Sequence, residues 1–441
     1  MGLTGLAIFK LLPKTNCGEC GVPTCLAFAM ALAAGKATLS QCPYVSDEAR
    51  EALDAATAPP IKLVKMGAGD KVIELGDEQV IFRHDKTFYH PTAIFIEVAD
   101  NDPDLAAKVA AVNDFKVERV GEEYELQGVA IKNASGSADT FKAAAEAVAG
   151  KTDKGIILMT EDVAAMDAAA GAIAARKPLL YAATAANYEK MVEVAKKVAA
   201  PLAVKGDDLN SMADLVAKID YKELVIDSGA RQITQVIADQ TQIRNVAIKK
   251  RFRPYGYPTI AFTTESDPAA ETLEAQVFVS KYASIVVMKS MAPQNMLTLL
   301  TWRRNLYTDP QRPIAVQPGV YAIGAVTPDS PVYITTNFSL TYYTVATEVE
   351  STRLPSYLIA FDTDGLSVMT AWAGGKFIGE NIGPWLKESD INEKVKKKVL
   401  IIPGGVAAIK GKIEELSGWE VMVGPREASG IGSFAKLRLG A

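Results

Sequence analysis

A three-part α/β protein is what the sequence predicts, and three observations predict it. All four cysteines, Cys17, Cys20, Cys25 and Cys42, fall within the first 42 of 441 residues. Across the middle of the chain a β-rich apolar run followed by an amphipathic helix recurs eight times. A shorter alternation resumes after 312–319, where two prolines and a glycine mark a linker. The expected segments are a thiol-bearing module over 1–57, a linker with a hairpin over 58–91, a barrel over 92–311 and a smaller α/β domain over 312–441.

Composition limits the function classes. The apolar fraction of 49%, the charged fraction of 22% and the net charge of −5 describe a soluble globular chain with no strong pull towards nucleic acid or membrane. The longest helical apolar stretch, Leu26 to Ala34, is far short of a membrane span. Nothing before Cys17 resembles a signal peptide, so a cytoplasmic location is expected. The two histidines are His84 and His90, which leaves 91–441 without imidazole for acid-base work or metal ligation. Both read most simply as surface or packing residues, because no ligand cluster surrounds them in motif spacing.

In the first segment the cysteines are spaced C-x2-C-x4-C-x16-C-P, closing on Cys42-Pro43. Gly18 and Gly21, which follow the first two, let the backbone wrap closely and aim amide hydrogens at bound sulfur. Three close thiolates and one distant one before proline suit a [4Fe-4S] cubane. A structural zinc site more often has two separated C-x2-C knuckles, and disulfides persist mainly outside the cytosol; both stay open as alternatives. Helices are expected over Leu6–Leu12, over Leu26–Ala34 with a stop near Gly35, and over Asp47–Ala56. The hairpin should pair Lys71–Gly76 with Gln79–Arg83 around Gly76-Asp77-Glu78.

In the middle segment the β-rich runs are Ala93–Val98, Gly128–Lys132, Gly155–Met159, Pro178–Ala182, Pro201–Lys205, Glu223–Ile226, Thr259–Thr263 and Ser284–Met288. Helices follow near 103–114, 138–149, 162–176, 186–199, 209–219, 230–249, 268–282 and 294–306, several opened by a capping oxygen or a first-turn proline, as at Asp102-Pro103, Ser137 and Asp267-Pro268. Eight βα units in about 215 residues match a TIM (β/α)8 barrel. Its strand ends carry Glu97, Asn133, Thr160, Lys205, Asp227 and Glu265, a polar rim with no recurring catalytic pair. Asp227-Ser228-Gly229 can orient a ligand, but helix capping explains it as well.

In the last segment Pro331–Thr336, Ser356–Phe361, Lys398–Ile402 and Glu420–Val423 read as strands, with helices over 340–350, 376–388, 406–416 and 430–438. This is the pattern of a doubly wound domain that takes ligands at the carboxyl edge of its sheet. Three glycine-bearing loops are expected at that edge: Thr370-Ala371-Trp372-Ala373-Gly374-Gly375, Pro403-Gly404-Gly405 and Ser429-Gly430-Ile431-Gly432-Ser433. None is a P-loop or a dinucleotide fingerprint. Each alone is a plain turn; together they can admit a large flat cofactor.

The module Asn16-Cys17-Gly18-Glu19-Cys20-Gly21-Val22-Pro23-Thr24-Cys25 with Cys42-Pro43, followed by the barrel and by Thr370-Ala371-Trp372-Ala373-Gly374-Gly375-Lys376-Phe377, resembles the large (gamma) subunits of corrinoid iron-sulfur proteins of the acetyl-CoA, or Wood-Ljungdahl, pathway, over essentially the whole chain. The resemblance implies a [4Fe-4S] cluster on Cys17, Cys20, Cys25 and Cys42. It also implies a cobalamin-type corrinoid in the C-terminal domain, contacted by Thr370, Ala371, Trp372, Ala373, Gly374, Gly404, Gly405, Gly432 and Ser433, with Ser339, Leu340 and Ala346 lining the same pocket. With no histidine in that domain, and unless a partner supplies one, the lower base is either displaced or the corrinoid's own nucleotide ligates cobalt; the resemblance implies base-off. The implied role is a methyl carrier rather than a stand-alone enzyme: Co(I) takes a methyl from methyltetrahydrofolate through a methyltransferase and passes it to acetyl-CoA synthase, and the cluster helps to rescue Co(II). The implied partners are a small barrel subunit, the methyltransferase, acetyl-CoA synthase and a reductive activator. A pterin-dependent methyltransferase with a structural cluster and an electron-transfer adaptor without corrinoid are the competing readings.

Overall fold

A computed structural model describes residues 5–33, 37, 39–46, 59–309 and 312–440. Two compact units emerge: Met1–Phe115 with Glu125–Tyr307, and Lys116–Tyr124 with Thr308–Ala441. No described helix is long and apolar enough to cross a membrane.

The first unit begins with the thiol module. Helices α1 (Gly5–Leu11) and α2 (Cys25–Ala33) pack through Ile8, Leu12, Phe28 and Ala29. The Thr24 hydroxyl accepts the Ala27 amide at 3.1 Å, which supplies the cap that fixes where α2 starts. The helix expected over Asp47–Ala56, and the stop near Gly35, lie outside the described residues.

The hairpin departs from its expected register: β1 (Val64–Met66) pairs antiparallel with β2 (Ile73–Leu75), and Gln79–Arg83 forms no strand. Val64, Met66 and Leu75 are buried in the same core as the barrel interior, so hydrophobic burial and not the Gly76 turn sets the register. The segment expected to be a linker is therefore, from residue 59 onward, part of the barrel's packing. Arg244 completes the attachment. Its Nη2 donates to Glu78 Oε2 at 2.9 Å and its Nε to the Val80 carbonyl at 2.9 Å, while its guanidinium lies over the rings of Phe88 and Tyr282.

The barrel strands are β3 (Ala93–Ala99), β6 (Gly128–Lys132), β7 (Gly155–Met159), β8 (Leu179–Ala183), β9 (Leu202–Lys205), β10 (Leu224–Asp227), β11 (Ile260–Phe262) and β12 (Ile285–Met288). All pair in parallel, in the order β10-β9-β8-β7-β6-β3-β12-β11. A single parallel bridge from Ile226 to Thr259 brings the ends together and nearly closes the barrel. Phe95, Ala130, Ile157, Leu179, Ala203, Val225, Ile260 and Ile285 fill the interior. Eight helices follow the strands: α3 (Leu105–Asp114), α4 (Ala138–Ala149), α5 (Val163–Ala172), α6 (Tyr188–Val198), α7 (Leu209–Lys218), α8 (Ile233–Lys250), α9 (Pro268–Ser280) and α10 (Pro293–Tyr307). Ser137, Asp162, Asp208 and Asp267 cap their helices through side-chain oxygens. Helix α3 starts later than Asp102-Pro103 suggested, because Asp102 is engaged with the Asp104 amide and with Lys108.

Between α3 and β6 an unexpected hairpin, β4 (Lys116–Arg119) and β5 (Glu122–Glu125), is inserted. Its turn holds Val120 at φ 54° and Gly121 at φ 71°. Valine is a rare occupant of that conformation, which is why the turn escaped the sequence reading.

The second unit is a five-stranded sheet in the order β13-β15-β14-β16-β17, formed by β13 (Gly319–Ile323), β14 (Val332–Thr336), β15 (Ser356–Phe361), β16 (Val399–Ile402) and β17 (Glu420–Val423). β13, expected in no element, runs antiparallel to β15 along the edge; the other pairs are parallel. One face carries a core that includes Ile334, Phe377, Ile382, Ile413 and Trp419. The other packs Tyr333, Leu358 and Ile401 beneath α11 (Ser339–Ser351) and α16 (Ile431–Arg438). Between them in sequence lie α12 (Val368–Ala373), α13 (Gly379–Glu388), α14 (Ile391–Lys394) and α15 (Lys410–Ser417). One of the three expected loops is corrected here, because Thr370 to Ala373 lie in α12; Gly432 and Ser433 lie in α16, where the helix expected over 430–438 puts them. A buried apolar contact on each segment, Ala371 and Ile431, favours helix over an open turn.

Candidate functional site

The thiol module carries its four cysteines on a short turn-rich segment and the start of α2. Asn16, Gly18 and Gly21 adopt φ of 50°, 78° and 81°, and the Gly21 amide donates to the Gly18 carbonyl at 3.0 Å, so the chain doubles back around Cys17 and Cys20. Asn16 Oδ1 accepts the Cys25 amide at 2.8 Å, fixing the first turn of α2 to this loop. Cys42 follows a 3-10 turn, its amide donating to Leu39 at 3.1 Å. Cys25 and Cys42 are buried, Cys20 packs on the same apolar cluster, and Cys17 is exposed. The Tyr44 hydroxyl donates to Glu19 Oε1 at 2.9 Å. That hydrogen bond and the Glu19 charge raise its pKa.

All four cysteines are free of disulfides, and among the described residues no three His, Cys, Asp or Glu side chains are gathered closely enough to hold a metal ion. The fit to a metal group therefore rests on the donor set: four thiols within one small module, the chemistry that soft metal and iron-sulfur sites use.

In the second unit β15 lies on one side of β14 and β16 on the other, so the strand order reverses between β14 and β16. Crevices for ligands form outside the carboxyl ends of strands at such a point. Here there is a cavity of about 170 Å3, lined by Thr335 at the end of β14, Ile402 and Pro403 at the end of β16, Gly405, Met369 of α12, and Thr341 and Val345 of α11. Leu340, Met369 and Trp372 are exposed apolar side chains on α11 and α12. The edge is stiffened by Asn337, whose Oδ1 accepts from the Thr363 amide, the Thr363 hydroxyl and the Gly365 amide, each at 3.0 Å. Lys376 pairs with Asp364 across the same loops.

Of the expected contacts, Gly405 alone lines the cavity, with Thr341 and Met369 standing beside Leu340 and Thr370 in sequence. Ala371 is fully buried in the core, and its carbonyl accepts the amides of Lys376 and Phe377. That residue shapes the segment from within and has no face for a ligand. Ser339 is buried at the start of α11, with its amide on the Ile314 carbonyl; Ala346 packs into the core beneath α11. Trp372, Ala373, Gly374 and Ser433 are exposed, and Gly432 faces open space. Gly404 has a structural reason of its own: a Cβ there would stand 2.5 Å from the Gly424 carbonyl oxygen. Thr335 was missed, although two consecutive hydroxyl residues closing the domain's first parallel strand are a legible signal.

Five of the six polar rim residues are paired within the barrel. Lys205 Nζ binds Glu161 at 2.8 Å, Lys132 stands 3.5 Å from Glu97, and Asn133 Nδ2 donates to Thr160 at 3.3 Å. Asp227 is buried and accepts from Tyr181 at 2.7 Å and from Arg231 at 2.9 Å. Burial, then the Asp227 charge, raises the Tyr181 pKa; burial opposes the Arg231 charge, yet Asp227 outweighs it and holds that guanidinium above its ordinary pKa. Asp227 thus locks the mouth by ion pairing rather than by helix capping.

A family model described as "CO dehydrogenase/acetyl-CoA synthase delta subunit" matches residues 63–435, and one described as "Putative Fe-S cluster" matches 12–44. The chain is 56% identical, over 100% of both sequences, to the corrinoid/iron-sulfur protein large subunit of Moorella thermoacetica. It is 37% identical to the acetyl-CoA decarbonylase/synthase complex subunit gamma of Methanopyrus kandleri, covering 98% of this chain and 97% of that one. The Yersinia pestis dihydropteroate synthase structure aligns with 49% of this chain and 94% of its own at 12% identity, with a TM-score of 0.35, too low to bear on fold or function. The match over 63–435 and the full-length identity to the Moorella protein place this chain in the family of corrinoid/iron-sulfur protein large subunits and acetyl-CoA decarbonylase/synthase gamma subunits.

Proposed function

We propose that this chain is a methyl-carrier subunit of the acetyl-CoA pathway, holding a corrinoid at the C-terminal crevice and a [4Fe-4S] cluster on Cys17, Cys20, Cys25 and Cys42. The observation that carries the reading is the crevice between β14 and β16, apolar at its rim and in a domain without histidine. A corrinoid bound there supplies a cobalt centre that, as Co(I), accepts a methyl group from methyltetrahydrofolate delivered by a methyltransferase and yields it to acetyl-CoA synthase. A cluster bound at the thiols supplies single electrons for returning Co(II) to Co(I).

This chain's own residues do the holding. Leu340, Met369 and Trp372 offer apolar surface to a broad planar ligand and exclude water from its near face. Asn337 and the Lys376–Asp364 pair fix the loops that carry them. Since 91–441 contain no imidazole, this domain would offer no histidine ligand to a bound cobalt. At the thiol loop, Gly18 and Gly21 leave room for amide hydrogens to face bound sulfur. The exposed position of Cys17 puts one edge of the module within reach of an electron donor. The proposed partners are a small barrel subunit, the methyltransferase, acetyl-CoA synthase and a reductive activator.

The test is anaerobic purification with the small subunit, followed by iron, sulfide and cobalt analysis and a reductive ultraviolet-visible titration. About four irons and one corrinoid per chain are expected. Iron without cobalt, when corrinoid is supplied during reconstitution, would sink the methyl-carrier reading and leave an electron-transfer adaptor.

A further inference from the structure

The four thiols sit on two separate arms of the N-terminal module. Cys17, Cys20 and Cys25 share the first arm, which is stitched locally: the Gly21 amide donates to the Gly18 carbonyl at 3.0 Å, and Asn16 Oδ1 accepts the Cys25 amide at 2.8 Å. The fourth thiol arrives on a return arm. From Cys25 the chain leaves along α2, and Cys42 comes directly after the 3-10 turn Leu39–Gln41. Bringing the far end of such a loop back to its start costs chain entropy, so a thiol placed there depends on whatever holds the arm.

Two kinds of contact hold it. Cys42 and Val45 are 4% and 6% exposed, in the apolar cluster of Ile8, Leu12, Cys25 and Phe28. Tyr44, between them in sequence, is 51% exposed, so burial does not place its ring. Its hydroxyl does, by donating to Glu19 Oε1 at 2.9 Å across 25 residues of chain. Glu19 lies inside the Cys17–Cys20 loop and Tyr44 stands two positions beyond Cys42, so each end of this bond adjoins cysteines of a different arm. An exposed side-chain hydrogen bond contributes little to global stability. Its effect is local: it ties the return arm to the loop that carries the first two thiols.

We propose that Glu19 and Tyr44 form a clasp that positions Cys42 against the Cys17–Cys20 loop, holding the fourth thiol ready before a metal group enters and slowing its departure afterwards. Both are positioning residues that act through the cysteines beside them. This rests on the reading that the four cysteines hold one cluster.

The experiment has two readouts on the full-length chain. In the reduced, cofactor-free protein, the rate of iodoacetamide alkylation at each cysteine is followed by mass spectrometry; after anaerobic reconstitution, iron release to a ferrous chelator is followed by absorbance. Tyr44→Phe and Glu19→Ala should each speed alkylation of Cys42 about threefold, the scale of one exposed hydrogen bond, and leave Cys25, which Asn16 holds independently, unchanged. Iron release should quicken by a similar factor. Glu19→Gln, whose amide oxygen still accepts from the tyrosine, should behave as wild type, and the double variant Glu19→Ala with Tyr44→Phe should be no faster than either single one. If Glu19→Ala does not fold, Tyr44→Phe, which removes one oxygen and keeps the ring, gives the same contrast. Wild-type alkylation of Cys42 in Tyr44→Phe, or equal acceleration at Cys25 and Cys42, overturns the clasp. A wild-type chain that takes up no iron overturns the cluster reading, and the alkylation contrast then decides the clasp by itself.

Discussion

Gly404→Ala tests whether the crevice is built by close packing of its loops. The substituted Cβ would meet the Gly424 carbonyl oxygen at 2.5 Å, the Pro425 carbonyl carbon at 2.8 Å and the Arg426 amide nitrogen at 2.9 Å. All three are backbone atoms of the segment after β17, so no side chain can swing aside. Real Cβ contacts stay beyond 3.0 Å, which requires this loop to retreat by about 0.5 Å. The Gly404 amide also donates to the Pro425 carbonyl at 2.9 Å, and retreat stretches that bond. Overpacking of this kind costs about 1–3 kcal/mol. Pro425 and Arg426 line the cavity, so its wall moves with the loop. The assay is urea unfolding followed by tryptophan fluorescence, which reports mainly on this domain because Trp372, Trp385 and Trp419 are three of the four tryptophans. A lower midpoint with unchanged slope, together with reduced retention of bound corrinoid, is expected. An unfolding free energy within about 0.3 kcal/mol of wild type would refute the reasoning, because the loop would then yield at no cost.

At the thiol module, Cys42→Ser should reduce iron and sulfide per chain after anaerobic reconstitution, since a hydroxyl replaces one soft donor; unchanged iron content would remove Cys42 from the ligand set. Glu125 carries a pH dependence. Burial pushes its carboxyl up, but Lys154 at 2.9 Å and Lys71 at 3.0 Å outweigh burial and hold it below the usual carboxylate range. Its stabilising contribution is therefore complete above the unfolded value of about 4.3 and is lost as pH falls through the lower folded value. Wild type and Glu125→Gln should differ in unfolding midpoint at neutral pH and converge in acid; parallel profiles would show that the carboxylate contributes nothing. In the inserted hairpin, a Cβ at Gly121 would run into the Tyr343 ring, and φ of 71° is unfavourable to any side chain. Gly121→Val should speed amide exchange across residues 116–124, and wild-type protection there would mean that the contact is dispensable.

Much of the architecture was written in short-range pattern. Each barrel strand is an apolar run of a few residues followed by a helix, four of them opened by a side-chain cap, and such periodicity needs no knowledge of neighbours. The four parallel strands of the second domain followed in the same way, whereas its edge strand β13 did not. The β1–β2 register was not legible, because Val64, Met66 and Leu75 are placed by the barrel interior they plug, far away in sequence. Nor was α12, where burial of Ala371 and Phe377 turns an apparent glycine loop into a helix followed by a turn.

The sequence by itself determined the chemistry available: four thiols in one module, no imidazole beyond residue 90, and two successive βα alternations. These are inventories and local periods, and a linear text contains them. Tertiary structure alone decided which residues face the crevice. Thr335, Thr341, Met369, Gly405 and Pro425 come from separate elements and meet only because β14 pairs with β16 and two helices pack above that seam. Non-local strand pairing sets that meeting, and loop closure over tens of residues leaves no trace in spacing.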